Sequence, residues 1–271
     1  MYHQHPVQLL EPDTVAELPE ENLLLVQVTS ATLYAQVHVP GAVLVEPSEL
    51  VCGYAPAPGK LPDQGSLDKL FSRLGLTGEQ RVVAFDDEGG GWAGRFLWTL
   101  DVIGYYDWGY MNGGLHAWHH AGLPLQSGPG ADRQPTQMTV NIDTAPIASQ
   151  AEVLAAISDP EQLIWDVRSA EEFAGLRSGS MRRGHIPGAV NFDWELLKDV
   201  NQQLRLTDNF DELARSLGLL DAQRIITHCQ THHRSGLAYL VGRLLGLDIR
   251  AYDGSWAEWG NDPETPIEEK L

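Results

Sequence analysis

The second half of the chain alternates short apolar runs with segments of helical periodicity. Apolar runs at residues 163–167, 224–228 and 248–252 predict buried strands. Residues 209–217 and 235–245 repeat apolar side chains at helical spacing, and a glycine follows each segment. Short apolar strands that alternate with helices are typical of a parallel sheet covered on both faces. The pattern therefore predicts an α/β fold.

The same pattern occurs twice along the chain. The sequence HVPGAV at residues 38–43 reappears as HIPGAV at residues 185–190, and further pairs follow in the same order, such as LGL at 74–76 and 217–219. Ordered matches along both halves indicate a duplicated domain.

A segment without apolar periodicity separates the two copies. Residues 123–140 are rich in Pro, Gly, Gln and Ser, which is typical of a linker. We therefore predict a first domain at residues 1–125, a linker at 126–140 and a second domain at 141–271.

Composition restricts the classes of partner. Hydrophobic residues make up 43% of the chain and charged residues 20%, which suffices for a buried core. Eighteen Lys and Arg against 37 Asp and Glu give a net charge of −19, which repels phosphate backbones and anionic lipids. We expect neither nucleic acid nor a membrane as partner.

The start of the chain and its cysteines indicate the compartment. Met1 to Pro6 lacks the basic region of a signal peptide, and no apolar run reaches the length of a membrane span. The chain contains two cysteines, Cys52 and Cys229, which is few for a secreted disulfide framework. We predict a cytoplasmic protein in which the two thiols are not joined.

Cys229 stands where a predicted strand ends and a predicted helix follows closely. Backbone N–H groups and the positive end of a helix converge at such a position and lower the pKa of a thiol. Sites in parallel sheets also form beyond the carboxyl ends of strands. We therefore predict that Cys229 is a nucleophile, and we call residues 229–235 the active loop. Its other predicted site residues are Gln230, Thr231, His232, His233 and Arg234.

Arg234 is expected to order the active loop or to face a carboxylate such as Asp166.

The first copy has no thiol at the place that corresponds to Cys229. Alignment of the Ala-Gly and Ser-Gly pairs that open the equivalent helices places Asp87 opposite Cys229. A carboxylate cannot replace a nucleophilic thiol, so we predict that the first domain is catalytically silent and covers one side of the site.

An insertion between Ala174 and His185 has no counterpart in the first copy. The insertion carries three arginines in a strongly acidic chain, and a fourth, Arg168, follows the preceding predicted strand. Such runs are usually solvated, yet loops at the ends of strands in one sheet face a common crevice. The candidate ligands of a substrate anion are Arg168, Arg182 and Arg183, with Arg177 in the same window and Trp194 as a further residue of the site.

Several motifs together resemble those of the rhodanese superfamily. They are DVR at 166–168, GHIPGAV at 184–190, the active loop and YDGSW at 252–256, within a resemblance that covers about residues 23–266. The resemblance implies two tandem rhodanese-like domains, each a central, mostly parallel sheet flanked by helices. It also implies transfer of sulfane sulfur from thiosulfate to a thiophilic acceptor, cyanide in vitro, through a persulfide on Cys229.

The length of the active loop bears on the substrate. Four residues separate Cys229 from Arg234. In the superfamily this spacing suits a sulfur atom, whereas phosphatase and arsenate reductase relatives have one residue more. The loop lacks both the cations of animal thiosulfate enzymes and the Gly-Ser-Gly run of mercaptopyruvate enzymes. Transfer from 3-mercaptopyruvate and a role as persulfide carrier for a protein partner therefore stay open.

Sulfur transfer of this kind requires no cofactor. Adjacent histidines such as His232 and His233 point in different directions, and no second cysteine or histidine at ligand spacing completes a set, so we predict no metal. The expected partners are a small sulfur donor and a thiol or cyanide acceptor, with a protein acceptor as the alternative.

Overall fold

Two parallel sheets form the framework of the molecule. The computed structural model describes residues 6–131 and 133–269. Residues 1–5, on which the expectation about a signal peptide rests, lie outside the described range.

The first half contains the larger sheet. Its strands are β1 (Gln8–Leu10), β2 (Leu23–Val28), β3 (Val43–Val45), β4 (Arg81–Asp86) and β5 (Trp108–Met111). They lie in the order β1-β5-β4-β2-β3, and every pair is parallel. The helices are α1 (Pro12–Ala16), α2 (Ala31–Gln36), α3 (Gln64–Arg73), α4 (Gly91–Val102) and α5 (Gly114–His120). Because β2 is buried along its whole length, its sequence is almost continuously apolar.

The second half repeats this plan. Strands β6 (Gln162–Asp166), β7 (Val190–Asn191), β10 (Arg224–His228) and β11 (Ile249–Ala251) form a parallel sheet in the order β11-β10-β6-β7. Strands β8 (Lys198–Asp199) and β9 (Arg205–Leu206) pair with each other in antiparallel orientation. The helices are α6 (Gln150–Ala156), α7 (Ala170–Phe173), α8 (Phe210–Ser216), α9 (Arg234–Leu244) and α10 (Ser255–Trp259). The predicted α/β fold is confirmed, while the domain boundaries stay a prediction.

The described helices are all short. The longest, α4, has 12 residues, well below the roughly 20 that a membrane span requires. Among the described residues, no helix is both long and apolar enough to cross a bilayer.

Helices α4 and α9 join the two halves. They approach so closely that a Cβ on Gly94 would collide with the carbonyl group of Gly236, and a Cβ on Gly236 would stand 2.5 Å from the carbonyl oxygen of Gly91. Farther along, Tyr239 Oη donates to Asp101 Oδ2 at 2.7 Å. Helix α9 is therefore buried on two sides, against its own sheet and against the first half.

The predicted linker packs on the first half. The N–H of Thr136 donates to the carbonyl oxygen of Ser72 at 2.9 Å, and the N–H of Val140 donates to Asp68 Oδ1 at 2.7 Å. These contacts hold the end of the segment along α3.

Candidate active site

Cys229 follows the last residue of β10, and its side chain is 1% exposed. Backbone N–H groups of Thr231 and Ser235 donate to its sulfur, and the Ser235 hydroxyl lies 3.5 Å from Sγ. Burial alone raises the pKa of the thiol. The charge of Arg234 and these hydrogen bonds outweigh burial and hold the pKa below its ordinary value. The arrangement of N–H groups, which we call the sulfur cradle, therefore favours an anionic sulfur.

His232 extends the hydrogen-bond network behind the thiol. A φ of 55° turns its buried imidazole inward, and Nδ1 lies 2.7 Å from Ser235 Oγ. Burial, assisted by the charges of Arg95 and His233, holds the pKa of His232 far below its usual value. The ring is therefore neutral at pH 7. We assign the tautomer in which Nδ1 donates to Ser235, because the hydroxyl can then donate to Cys229.

Arg234 forms a two-pronged ion pair at the end of the active loop. Nη1 and Nη2 donate to the two carboxylate oxygens of Glu172 at 2.7 and 2.9 Å. Glu172 also accepts from the N–H and the hydroxyl of Ser169, the residue that caps α7. Arg234 thus faces a carboxylate, but the partner is Glu172. The expected partner, Asp166, is occupied by Arg168.

The first domain covers the active loop from outside. Gly59 lies so close to Thr231 that a Cβ at residue 59 would collide with the Thr231 carbonyl group. The His233 ring stacks on Trp92 with centroids 4.4 Å apart and pairs with Glu88. The middle of the active loop is thereby fixed by residues of the other domain.

Two further predicted site residues lie at the rim of the site. Gln230 Nε2 donates to Ser180 Oγ of the insertion at 3.1 Å. Trp194 is 8% exposed, and its ring centroid lies 5.4 Å from that of His233 in an edge-on arrangement. Lys198 Nζ lies 3.4 Å from the centroid of the Trp194 ring. Trp194 therefore contacts the loop, and its role toward substrate stays a prediction.

Arg168 has a structural environment. It has no exposed surface, and its Nη2 donates to Asp166 Oδ2 at 2.6 Å and to the carbonyl oxygen of Gly184 at 2.9 Å. Its guanidinium also lies 4.2 Å from the ring centroid of Trp256. This burial argues against the expectation that Arg168 binds a substrate anion, because it ties the strand end to the insertion instead.

Arg182 and Arg183, two other arginines of this window, have different environments. Arg182 donates to the carbonyl oxygens of Thr265 and Trp259 at 2.8 and 2.9 Å, so it fastens the insertion to the C-terminal segment. This placement also argues against a substrate role for Arg182. Arg183 is exposed, and its predicted role stays a prediction.

A polar pocket opens beside the active loop. It has a volume of about 340 Å³ and is lined by Glu172, Arg177, Ser178, Gly179 and Arg234. Arg177, whose side chain is 61% exposed, is the arginine of the insertion that lines this pocket. Two guanidinium groups therefore border a space large enough for a small oxyanion.

The first domain builds a similar cradle around a carboxylate. Asp86, the last residue of β4, is fully buried. Its oxygens accept backbone N–H groups, at distances between 2.8 and 3.2 Å, from Glu88, Gly89, Gly90 and Ala93. Burial, followed by the charge of Glu88, raises the pKa of Asp86 to about 6 despite these hydrogen bonds.

This carboxylate corrects the alignment made from the sequence. The structural counterpart of Cys229 is Asp86 rather than Asp87, because the N–H of Ala93 reaches Asp86 as the N–H of Ser235 reaches Cys229. Seven positions separate the first pair and six the second. The loop of the first domain is therefore one residue longer, which shifts an ungapped alignment by one.

Several residues of the site lie outside the motifs that the sequence singles out. Glu172 had a readable signal, since Ser169 and Glu172 have the spacing of a capping box directly after the DVR motif. Ser235 was noted only as a helix start. Glu88 and Trp92 belong to the other domain, and nothing in a single sequence connects them to the active loop.

Solved structures of distant proteins share the fold. An anaerobic ergothioneine biosynthesis enzyme from Chlorobium limicola superposes with a TM-score of 0.83 and 19% identity, over 97% of this chain and 70% of that one. YnjE superposes with a TM-score of 0.85 and 18% identity, over 97% and 68%. At these identities the likeness concerns the fold alone.

Closer relatives identify the family. Thiosulfate sulfurtransferases of Azotobacter vinelandii and Pseudomonas aeruginosa are 43% and 42% identical to this chain over 263 residues, which is 96% of each chain. A sulfur carrier protein of Thermus thermophilus is 29% identical over 98% of both chains. The rhodanese-like domain family matches residues 11–121 and 149–262, one match in each half. The resemblance seen in the sequence is thus confirmed, and this chain belongs to the rhodanese family.

Proposed function

We propose that the protein is a thiosulfate sulfurtransferase that transfers sulfane sulfur through a persulfide on Cys229. The observation that carries this proposal is the sulfur cradle, in which a buried thiol of lowered pKa receives N–H groups from Thr231 and Ser235. The relatives at 43% and 42% identity, which carry this name, support it. The spacing of Cys229 and Arg234 favours sulfur over the oxyanion of a phosphatase or arsenate reductase.

The donor is proposed to enter through the pocket beside the active loop. Thiosulfate is a dianion, and the guanidinium groups of Arg177 and Arg234 border this pocket. Arg183, exposed at the end of the same insertion, is the third candidate for donor binding. Because Cys229 is 1% exposed, side chains that cover the loop must move before the donor reaches the sulfur.

The first half-reaction forms the persulfide. The Cys229 thiolate attacks the outer sulfur of thiosulfate, a new S–S bond forms, and the bond to the sulfonate sulfur breaks. Sulfite leaves with the electron pair of that bond, so no redox partner is required. The N–H groups of the cradle stabilise the negative charge on the resulting persulfide.

The second half-reaction returns the thiolate. An acceptor such as cyanide or a cellular thiolate attacks the terminal sulfur, and the S–S bond to Cys229 breaks. The electron pair stays on Cys229 Sγ, where Arg234 and the Ser235 hydroxyl stabilise it. With cyanide as acceptor the product is thiocyanate. The kinetics are therefore expected to be ping-pong.

Mass spectrometry of the intact protein tests the persulfide. After exposure to thiosulfate and removal of the excess, Cys229 should carry one additional sulfur atom that cyanide removes. Cys52→Ser is the matched control, because it removes the other thiol and should gain the same sulfur atom. The persulfide mechanism is wrong if Cys229→Ser gains sulfur as the wild type does.

A comparison of two sulfur donors tests the choice of thiosulfate. The ratio of kcat/KM for thiosulfate to that for 3-mercaptopyruvate should favour thiosulfate. Arg177→Ala and Arg183→Ala, measured with both donors, identify the residue that binds the anion. A higher kcat/KM for 3-mercaptopyruvate would replace thiosulfate as the proposed donor.

A protein acceptor is the second candidate. Leu176 and Met181 are 69% and 86% exposed and flank the pocket residues of the insertion. Exposed apolar side chains at an active-site rim favour contact with a macromolecule. Leu176→Ser with Met181→Ser should slow sulfur transfer to reduced thioredoxin, used as a probe, and leave the rate with cyanide unchanged. A variant that transfers sulfur to thioredoxin at the wild-type rate would exclude a docking role for this rim.

A further inference from the structure

We propose that Arg95, on α4 of the first domain, is a positioning residue that supports the thiolate of Cys229 across the domain interface. This inference rests on the proposed function. It assigns the silent domain an electrostatic contribution in addition to its role as a cover.

Arg95 lies where α4 crosses α9. A Cβ on Gly236 would stand 2.6 Å from the backbone nitrogen of Arg95. Gly236 directly follows Ser235, whose N–H and hydroxyl donate to the sulfur of Cys229. The close approach that the glycines permit therefore brings Arg95 to the start of the helix behind the thiol.

Trp98 stands between Arg95 and the active loop. The guanidinium of Arg95 lies 4.5 Å from the ring centroid of Trp98, and the His232 ring meets the same indole edge-on with centroids 4.6 Å apart. His232 contacts Ser235, and Ser235 contacts Cys229. A continuous chain of contacts thus connects Arg95 to the sulfur.

The guanidinium of Arg95 is only partly paired. It has no exposed surface, and Nη2 donates to the carbonyl oxygen of Leu50 at 2.7 Å. Within residues 6–131 and 133–269, Nε and Nη1 have no hydrogen-bond partner. A buried cation with free donors costs stability, and such groups in native proteins call for an explanation. The sulfur anion nearby provides one.

The charges around Arg95 set the direction of its effect. Burial lowers the pKa of Arg95 to about 10, and the charges of Asp253, Cys229 and Cys52 partly oppose this shift. The charge of Arg95 in turn lowers the pKa of His232 and helps to keep the imidazole neutral. Loss of Arg95 would remove a positive charge that interacts with the sulfur of Cys229, which disfavours the thiolate.

Alkylation of Cys229 by iodoacetamide, followed against pH in a Cys52→Ser background, tests this role. Arg95→Met should raise the pH midpoint of alkylation by about 1 unit, as expected for loss of a nearby cation. Arg95→Lys keeps the charge and should stay close to the parent protein. Arg95→Gln, which keeps a donor toward Leu50, replaces Arg95→Met if that variant does not fold.

Arg243→Met is the matched control. Arg243 is equally buried between the same helices, where it pairs with Asp101, and its loss should leave the midpoint unchanged. An unchanged midpoint in Arg95→Met, or an equal shift in Arg95→Lys, would overturn the proposal. Alkylation requires no sulfur donor, so this result is independent of whether thiosulfate loads the wild-type enzyme.

Discussion

In both halves of the molecule, an interior strand of the parallel sheet ends in a loop whose N–H groups converge on one side chain. In the second half that side chain is the thiol of Cys229, and in the first it is the carboxylate of Asp86. The cradle is therefore a general site for an anionic group. The chemistry depends on whether that group is a nucleophile.

The first turn of each helix shows a second difference. Arg234 precedes Ser235 and forms the ion pair with Glu172, whereas Trp92 precedes Ala93 and stacks on His233 of the other loop. In the first domain this position has thus become a support for the active loop. Under the proposed function, one half of the duplicated chain reacts and the other half contacts its active loop.

The largest expected effect comes from moving the thiol between the two cradles. In a Cys229→Ser background, Asp86→Cys restores a thiol but not the cation, and its loop is one residue longer. We expect thiosulfate:cyanide activity to stay more than about 10⁴-fold below the wild type, measured as thiocyanate formation. Substantial turnover would show that the cradle alone is sufficient, and that the contrast between the domains lies only in Asp86.

The next effect concerns the ion pair that the first domain lacks. Glu172→Gln removes a charge-assisted hydrogen bond to Arg234, which is worth about 1.5–3 kcal/mol and corresponds to a loss of about 10- to 100-fold in kcat/KM. Glu152→Gln is the matched control, since Glu152 occupies a capping box on α6 and pairs with Arg250. It should lower stability without a change in kcat/KM. Equal losses in both variants would mean that the effect is only structural.

A smaller effect tests how the first domain shapes the active loop. Gly59→Ala places a methyl group against the Thr231 carbonyl and should cost about 1–3 kcal/mol in unfolding free energy. Because the displaced loop carries the Thr231 N–H away from Cys229, kcat should fall several-fold. Gly65→Ala on α3 should leave kcat unchanged, because among the described residues the added Cβ would meet only Asp63, at 3.4 Å. Full activity of Gly59→Ala would make the contact irrelevant to catalysis.

The smallest expected effect concerns the Asp86 carboxylate of the first domain and its contribution to stability. The pKa of Asp86 is about 6 in the folded protein and about 3.9 in the unfolded chain, so the folded state binds more protons between these values. The contribution of Asp86 to stability therefore falls as pH rises, by about 1 kcal/mol between pH 5 and pH 7. The unfolding free energy of Asp86→Asn, measured by urea titration at several pH values, should not show this decrease. Parallel pH profiles of wild type and variant would contradict the raised pKa.

Much of the fold could be predicted from the pattern of apolar residues. The strand at 224–228 has the predicted bounds, and the helix predicted at 235–245 is observed as Arg234–Leu244. Periodicity assigned one apolar face to this helix, yet its other face is also buried, against α4. That contact depends on the small size of Gly94 and Gly236 and on the tertiary arrangement, neither of which produces a periodic signal.

The site was less accessible to prediction because its parts are distant in sequence. The chemistry of Cys229 follows from its position at a strand end. Counting arginines in the insertion did not separate Arg177, which lines the pocket, from Arg182, which is bound to backbone carbonyls. The alignment missed Asp86 by one position because one loop carries an additional residue.

The crossing of α4 and α9 also limits which substitutions the sequence can accept. Neither Gly94 nor Gly236 can gain a side chain while the backbone of the opposite helix stays in place. A substitution on one side cannot be compensated by a smaller residue on the other, because none exists. The two halves can therefore keep this crossing distance only as long as both positions are glycine.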